Sequence, residues 1–351
     1  MPDLPIEILR EIFAYLSSPL RVHRAHEFPW YLGNVCSRWR ALFFSMRSTF
    51  WKKIEIDWEH NFLRLPRFSE RLKVILAFFL NRTQGAPFSF SLFREDYYPD
   101  KKHVRWILKD LLDHSRQWEE VFIRTKPMVF DFNLLRNAKG HLPLLKRLEI
   151  TTTTHSGPPV HPSFADIFKD APLLTHVVLQ SLPVWEFNWS SLTILGIGYQ
   201  NDIYKSLAIL QKTVNLVKLT FSDVFFYRDV GVEDMGLMIH FPHLECLSIV
   251  GINILTIILE TPVLQRLEIR VTSCSDEVVS YFVMADKTVD FLRRSRLKLT
   301  FVEESKSDNK VVLHTSTFWL RSRPEGISEP EIVMQGLGTR LEFVYWETPH
   351  L

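Results

Sequence analysis

The sequence predicts an α/β protein: a short helical module at the N-terminus, then a long array whose strands lie side by side in a parallel sheet. Three observations predict it. Apolar residues recur at helical spacing between residues 4 and 46. From residue 51 onward, short alternating segments trade places with longer apolar ones, as strand–helix–strand units require. From residue 118 onward, one six-residue pattern returns repeatedly. The predicted boundaries are 1–50 for the helical module and 51–351 for the array, with an atypical capping region over about 275–351.

In the first helix Ile6, Leu9, Phe13 and Leu16 recur at helical spacing, with Ile8, Ile12 and Tyr15 beside them. Pro5 suits the first turn, where its missing N–H removes no bond, and Glu7 favours the same positive end. Asn34 is the expected N-cap of a second helix with Val35, Trp39, Leu42, Phe43 and Met46 on one stripe. A shorter helix is expected around 28–32. The first helix is apolar around more than half its circumference, so it must be covered, by its own chain or by a partner.

The order of these residues carries more. Leu4-Pro5-Ile6-Glu7-Ile8-Leu9-Arg10-Glu11-Ile12-Phe13, then Val35-Cys36-Ser37-Arg38-Trp39-Arg40, resembles the F-box. Trp51-Lys52-Lys53-Ile54 is similar to the tail of this module in mushroom-type fungal F-box proteins. The resemblance covers residues 3–56. It implies docking on the Skp-family adaptor of a cullin–RING ubiquitin ligase, through Leu4, Pro5, Ile8, Leu9, Ile12, Val35, Cys36 and Trp39.

Next in order, Trp51 to Asp57 alternates as a strand, with Ile54 and Ile56 on one side. Residues 68–80 read as a buried helix and Gln84-Gly85-Ala86-Pro87 as a turn. Phe88 to Phe93 reads as a strand, Val104 to Leu112 as a helix and Glu119 to Arg124 as a strand. The pattern Leu-x-x-Leu-x-Leu, with Val, Ile or Phe substituting, then starts at Leu145, Leu174, Leu192, Leu216, Leu244 and Leu264, and more loosely at Trp118. The steps are 27, 29, 18, 24, 28 and 20 residues, bracketing the period of leucine-rich repeats. Pro143, Pro172, Pro242 and Pro262 each stand two residues ahead of a start, which suits the beginning of a strand. The expected fold is an irregular leucine-rich-repeat-like solenoid, a parallel sheet with helices and loops on its convex side. An ordinary parallel α/β sheet is the competing architecture.

In a solenoid Leu148, Ile150, Leu219, Leu247, Ile249, Leu267 and Ile269 point into the shared core. The alternate residues line the exposed sheet face, and Arg147, Glu149, His176, Gln180, Lys218, Ser248, Arg266, Glu268 and Arg270 are the candidates there for binding a target protein. The internal ladder position holds Thr153, Leu182, Gln200, Val224, Ile252 and Thr272, so no asparagine ladder forms and the curvature should be irregular. Trp189-Ser190-Ser191-Leu192-Thr193-Ile194-Leu195 resembles a repeat of the mushroom-type family. Beyond 270 a short helix over 286–294, strands over 297–301, 311–313 and 341–345, and a polar turn over 303–310 are expected.

Composition bounds the function. Apolar residues make up 46% and charged ones 23%, which is globular, and a net charge of +2 argues against a large nucleic-acid footprint. Three cysteines without metal-like spacing point to a reducing, intracellular compartment, cytoplasmic or nuclear. The N-terminus does not read as a signal peptide, and the most apolar run, 249–259, is too short to span a membrane. No phosphate loop or nucleophile elbow occurs. Gly196-Ile197-Gly198 reads as a tight turn, His240, His243 and Cys246 do not share an element, and Glu119-Glu120 reads as a solvated edge. The basic run Arg293 to Lys298 reads as a solvated face.

The expectation is therefore a substrate-recognition adaptor rather than an enzyme, with no cofactor or metal. Its partners would be a Skp-family adaptor, through it a cullin, and an unidentified protein substrate, with no membrane. The alternative is a scaffold without ligase function, in which the N-terminal helices only cap the solenoid.

Overall fold

The computed structural model describes residues 4–16, 19–22, 29–57, 66–93, 101–125, 132–152, 165–179, 185–198, 203–221, 239–250, 259–264, 266–272, 298–307 and 310–319. It is α/β with a large parallel sheet. The chain divides into two compact units, Met1–Asn188 and Trp189–Leu351. The N-terminal helices fall in the first of these units.

The first unit begins with α1 (Ile6–Tyr15), which Pro5 precedes in an extended conformation, and continues with β1 (Leu20–Arg21), α2 (Leu32–Val35), α3 (Ser37–Ser45) and α4 (Arg47–Phe50). The α3 cap differs from expectation. Asn34 lies inside α2, and the N-cap is Cys36, whose Sγ accepts from the Trp39 N–H at 3.5 Å. A thiol takes the place of the usual oxygen at an otherwise orphan donor. Then follow β2 (Lys53–Asp57), α5 (Pro66–Thr83), β3 (Phe88–Phe93), α6 (Lys101–Leu112), β4 (Trp118–Thr125), β5 (Arg147–Thr152) and β6 (His176–Leu179).

Strands β1 to β6 pair in sequence order and in parallel. Parallel crossovers are right-handed, so a monotonic strand order puts every connection on one face and leaves the other uncovered. Burial agrees: Ile54, Ile56, Val121, Ile123, Leu148 and Val177 are buried, while their alternates Lys53, Glu55, Glu120, Phe122, Arg147 and His176 are half-exposed.

The second unit contains β7 (Ile194–Ile197), α7 (Ile203–Leu210), β8 (Lys218–Phe221), β9 (Ile239–His240), β10 (Cys246–Val250), β11 (Leu259–Glu260), β12 (Arg266–Thr272), β13 (Lys298–Ser307) and β14 (Lys310–Trp319). Strands β7, β8, β10, β12 and β13 run parallel in that order, and β14 closes the row antiparallel. The expected polar turn at 303–310 is instead strand on both sides of 308–309. Gly196 is likewise a strand residue opposite Thr220, not part of a turn. The expectations for 286–294 and 341–345, and the ladder positions Thr153, Leu182, Gln200, Val224 and Ile252, lie outside the described residues.

The sequence repeat is also the spatial repeat. Leu148 and Ile150 stand opposite Val177 and Leu179; Leu195 and Ile197 opposite Leu219 and Phe221; those in turn opposite Leu247 and Ile249. The backbone repeats with them. The carbonyl after each starting residue accepts from the next repeat: Lys146 N–H to Glu119 O at 2.8 Å, Thr175 N–H to Lys146 O at 3.1 Å, Val217 N–H to Thr193 O at 2.8 Å and Glu245 N–H to Val217 O at 2.9 Å. Such equivalence between successive described units is compatible with a solenoid-like α/β fold. The prolines act one step earlier than expected. The starting N–H of Leu145, Leu174, Leu244 and Leu264 bonds the carbonyl three residues back, so Pro143, Pro172, Pro242 and Pro262 occupy the second position of a β-turn.

The series also starts earlier than the sequence pattern revealed. Trp51 is buried, and Ile54 and Ile56 stand opposite Phe90 and Leu92, which stand opposite Val121 and Ile123. Trp51 thus occupies the starting position of a first repeat. Like Trp118, it donates its indole N–H to a carbonyl near the end of an earlier helix: Trp51 to Phe43 O of α3 at 3.3 Å, Trp118 to Leu111 O of α6 at 3.1 Å.

Candidate functional site

Two surfaces of the first unit carry the predicted residues. The first is α1. Its inner side is Leu9 (3% exposed) and Phe13 (0%), and Phe13 meets Trp39 edge-on at 5.1 Å. Its outer side keeps Leu4 47%, Ile8 42% and Ile12 38% exposed, and Tyr15 is 90% exposed. On a helical wheel Ile8, Ile12 and Tyr15 form one stripe beside the buried pair, with Glu7, Arg10, Glu11 and Ala14 on the remaining arc, and Leu4 lies just ahead of the helix. A contiguous apolar stripe is the kind of surface on which protein, membrane or ligand contacts are made.

Arg38 Nη2 donates to the Leu4 carbonyl at 2.8 Å and so ties the start of α1 to the start of α3, where Val35 and Cys36 are exposed. Of the eight residues expected to dock, Leu4, Pro5, Ile8, Ile12, Val35 and Cys36 are exposed and Trp39 is half-exposed. Leu9 is corrected: it lies in the core and offers no surface. Ile6, Tyr15, Leu16 and Tyr31 are exposed apolar residues that the resemblance did not supply.

The helices also do structural work. Phe13, Phe50, Phe43, Trp51, Phe79, Phe88, Phe90 and Trp118 form a chain of rings with successive centroids 4.9–6.4 Å apart. Aromatic pairs at such distances each contribute about 0.5–1.5 kcal/mol beyond their buried area. Leu20 and Arg21 pair with Ile54 and Glu55, so the loop after α1 supplies the first strand of the sheet.

The second surface is the uncovered sheet face. One row across it reads Lys53, Ser89, Glu120, Arg147, His176; the next reads Glu55, Ser91, Phe122, Glu149, Val178. Arg147 Nη2 donates to Glu149 Oε2 at 3.2 Å. Lys53 Nζ lies 5.1 Å from the Phe122 ring centre and the Arg147 guanidinium 4.8 Å from it. Beside this face Glu119 takes Lys146 Nζ at 2.9 Å and Lys52 Nζ at 3.0 Å. Glu119 is therefore a paired acid rather than a solvated edge. The Lys146 hydrogen bond holds its carboxyl below the usual range, burial opposes that, and Lys52 adds to it.

In the second unit Lys218 is exposed, whereas Ser248, expected on the binding face, is 5% exposed and corrected to a covered position. Ser248 stands opposite Thr220 and Glu268 in the strand register. Arg266, Glu268 and Arg270 on β12 are register partners of Cys246, Ser248 and Val250; Gln180 lies outside the described residues. His240 is on β9 with Nδ1 3.2 Å from Glu260 Oε2, and Cys246 is on β10. Among the described residues, no helix is long and apolar enough to cross a membrane. Compared with family models, with curated proteins and with solved structures, the chain matches none.

Proposed function

We propose that this protein is a substrate-recognition adaptor of a cullin–RING ubiquitin ligase: an F-box at its N-terminus docks on a Skp-family adaptor, and a leucine-rich-repeat-like solenoid presents its open sheet face to a target protein. The observation that carries this reading is the outer stripe of α1. The helix already spends one side on the core, yet Leu4, Ile8, Ile12 and Tyr15 stay open to solvent. Chemistry would come from other subunits. This chain contributes proximity, raising the effective concentration of target lysines near the conjugating enzyme. An intracellular location, cytoplasmic or nuclear, goes with that role.

The test is co-elution of the full chain with a purified Skp-family adaptor. Pro5→Ala with Ile8→Ala should abolish it while leaving the circular-dichroism spectrum intact. Unchanged co-elution of the double variant contradicts the docking assignment.

A second reading has its own support. The pairing of β1 with β2 and the ring chain support reading the helices as a cap on the open end of the sheet. If capping is their whole purpose, the protein is an interaction scaffold and the wild-type chain will not bind the adaptor.

A further inference from the structure

Helices α3 and α5 carry a charge pattern that the docking of α1 does not use. Residues 28–54 contain no Asp or Glu, and neither do residues 71–94. The two stretches meet where the Phe44 ring of α3 lies 5.6 Å from the Phe78 ring of α5, edge to face. Arg82 is held against both, its guanidinium 4.7 Å from the Phe44 ring centre and 5.1 Å from that of Phe78. Rings from two helices fix this cation in place, and its planar fork of N–H donors matches a carboxylate. Among the described residues neither Arg82 nor Arg71 has an acid partner.

The apolar part of the same flank is open to solvent. Leu72, Leu76, Phe79 and Leu80 turn one side of α5 to the core. On a helical wheel Val74, Phe78 and Arg82 follow one another a turn apart along the flank toward α3, with Arg71 and Ile75 beside them. Val74 is 68% exposed, more than any other large apolar residue described except Tyr15. Phe44, Ile75 and Phe78 are half-exposed. From Val74 to Arg82 the helix rises about 12 Å, or two turns. Glu70, one turn before Val74, is the nearest acid in sequence and stands at the opposite end from Arg82.

We infer that this flank of α5 seats an acidic amphipathic segment of a partner polypeptide, with an apolar side chain on Val74 and Phe78 and a carboxylate on Arg82. The spacing of those contacts suits a helix whose apolar and acidic residues stand two turns apart. Val74 favours a polypeptide over a nucleic acid, because a phosphate backbone leaves exposed apolar surface uncovered. The inference goes beyond the adaptor reading and does not rest on it: none of the eight residues expected to dock lies on α5 or at Phe44.

The experiment is fluorescence anisotropy with the full chain and three labelled probes: an alanine-based helical peptide with Leu and Glu two turns apart, the same peptide with Lys in place of Glu, and a single-stranded DNA of equal length. The Leu–Glu peptide should bind about tenfold tighter than either of the others. Val74→Asp and Arg82→Gln should each weaken it about tenfold, through the loss of one apolar contact and of one charge-assisted bond. Val74 faces solvent, so its replacement tests the flank without touching the core. Lys169→Glu, at an exposed ion pair with Glu186, should change nothing. Equal or tighter binding of the Lys peptide or the DNA, no binding of the Leu–Glu peptide, or unchanged affinity of Val74→Asp overturns the inference. Adaptor binding by both variants should match that of the wild type. Its loss would put this flank within the adaptor's footprint and overturn a separate partner, while a wild-type chain that binds the peptide but not the adaptor sinks only the docking assignment.

Discussion

Replacing Trp51 with Ala tests whether the N-terminal helices and the first repeats share one core. Trp51 is buried against the rings of Trp30, Phe43, Phe44, Phe78 and Phe79, at 5.2–6.3 Å between centroids, and its indole N–H bonds the Phe43 carbonyl. Truncating a buried Trp to Ala costs about 3–5 kcal/mol, and leaving a buried carbonyl unpaired costs about 1 kcal/mol or more. A loss of about 4 kcal/mol multiplies the population of opened molecules about a thousandfold. Hydrogen exchange followed by mass spectrometry reads that population segment by segment. Both 4–16 on the helical side and 88–93 in β3 should exchange about a thousandfold faster, because the ring chain couples them. Trp51→Phe keeps most of the buried area but removes the N–H, and should accelerate both segments about tenfold. If 4–16 accelerates while 88–93 keeps its wild-type protection, the helices are a separate module and the shared core is wrong.

Three further outcomes follow from single side chains. Glu119 has its pKa depressed in the fold, so its stabilisation is full above the ordinary value of 4.5 and is lost as pH falls through the folded value. Glu119→Gln should therefore lower the urea midpoint at neutral pH and leave it unchanged in strong acid. Asp110 has the opposite sign: burial, with Asp113 adding to it, raises its carboxyl above 3.8, so the charged form destabilises the fold. Asp110→Asn should raise the urea midpoint at neutral pH, with the gain vanishing below 3.8. Gly140 has φ 71°, a left-handed conformation that L side chains resist, so Gly140→Ala should cost about 1 kcal/mol in urea unfolding.

The strand array was legible because its signal is redundant. Leu145, Leu174, Leu192, Leu216, Leu244 and Leu264 each begin the same pattern, and all six are buried. Within each unit, aligning them in sequence reproduces the pairing register in space. What escaped notice was hidden by neighbours or by size. Trp51 closes the resemblance of the helical stretch to a known module, so its second identity as a repeat start was masked. Phe88 to Phe93 lacks the leading leucine, and its register shifts between Phe88 and Ser89. Leu9 and Ile8 are equally apolar and adjacent; only the packing of Phe13 against Trp39 decides which faces inward. Ser248 and the adjacent Leu247 are both buried, which strand alternation alone does not predict. Cys36 displaced Asn34 as the cap because α2 ends one residue before it.

The most direct measurement of the docking claim is a hydrogen-exchange footprint of the full chain with and without a purified Skp-family adaptor. Slowed exchange confined to 4–16 and 32–40 is the predicted result. An unaltered pattern there, with the adaptor present at saturating concentration, would contradict it.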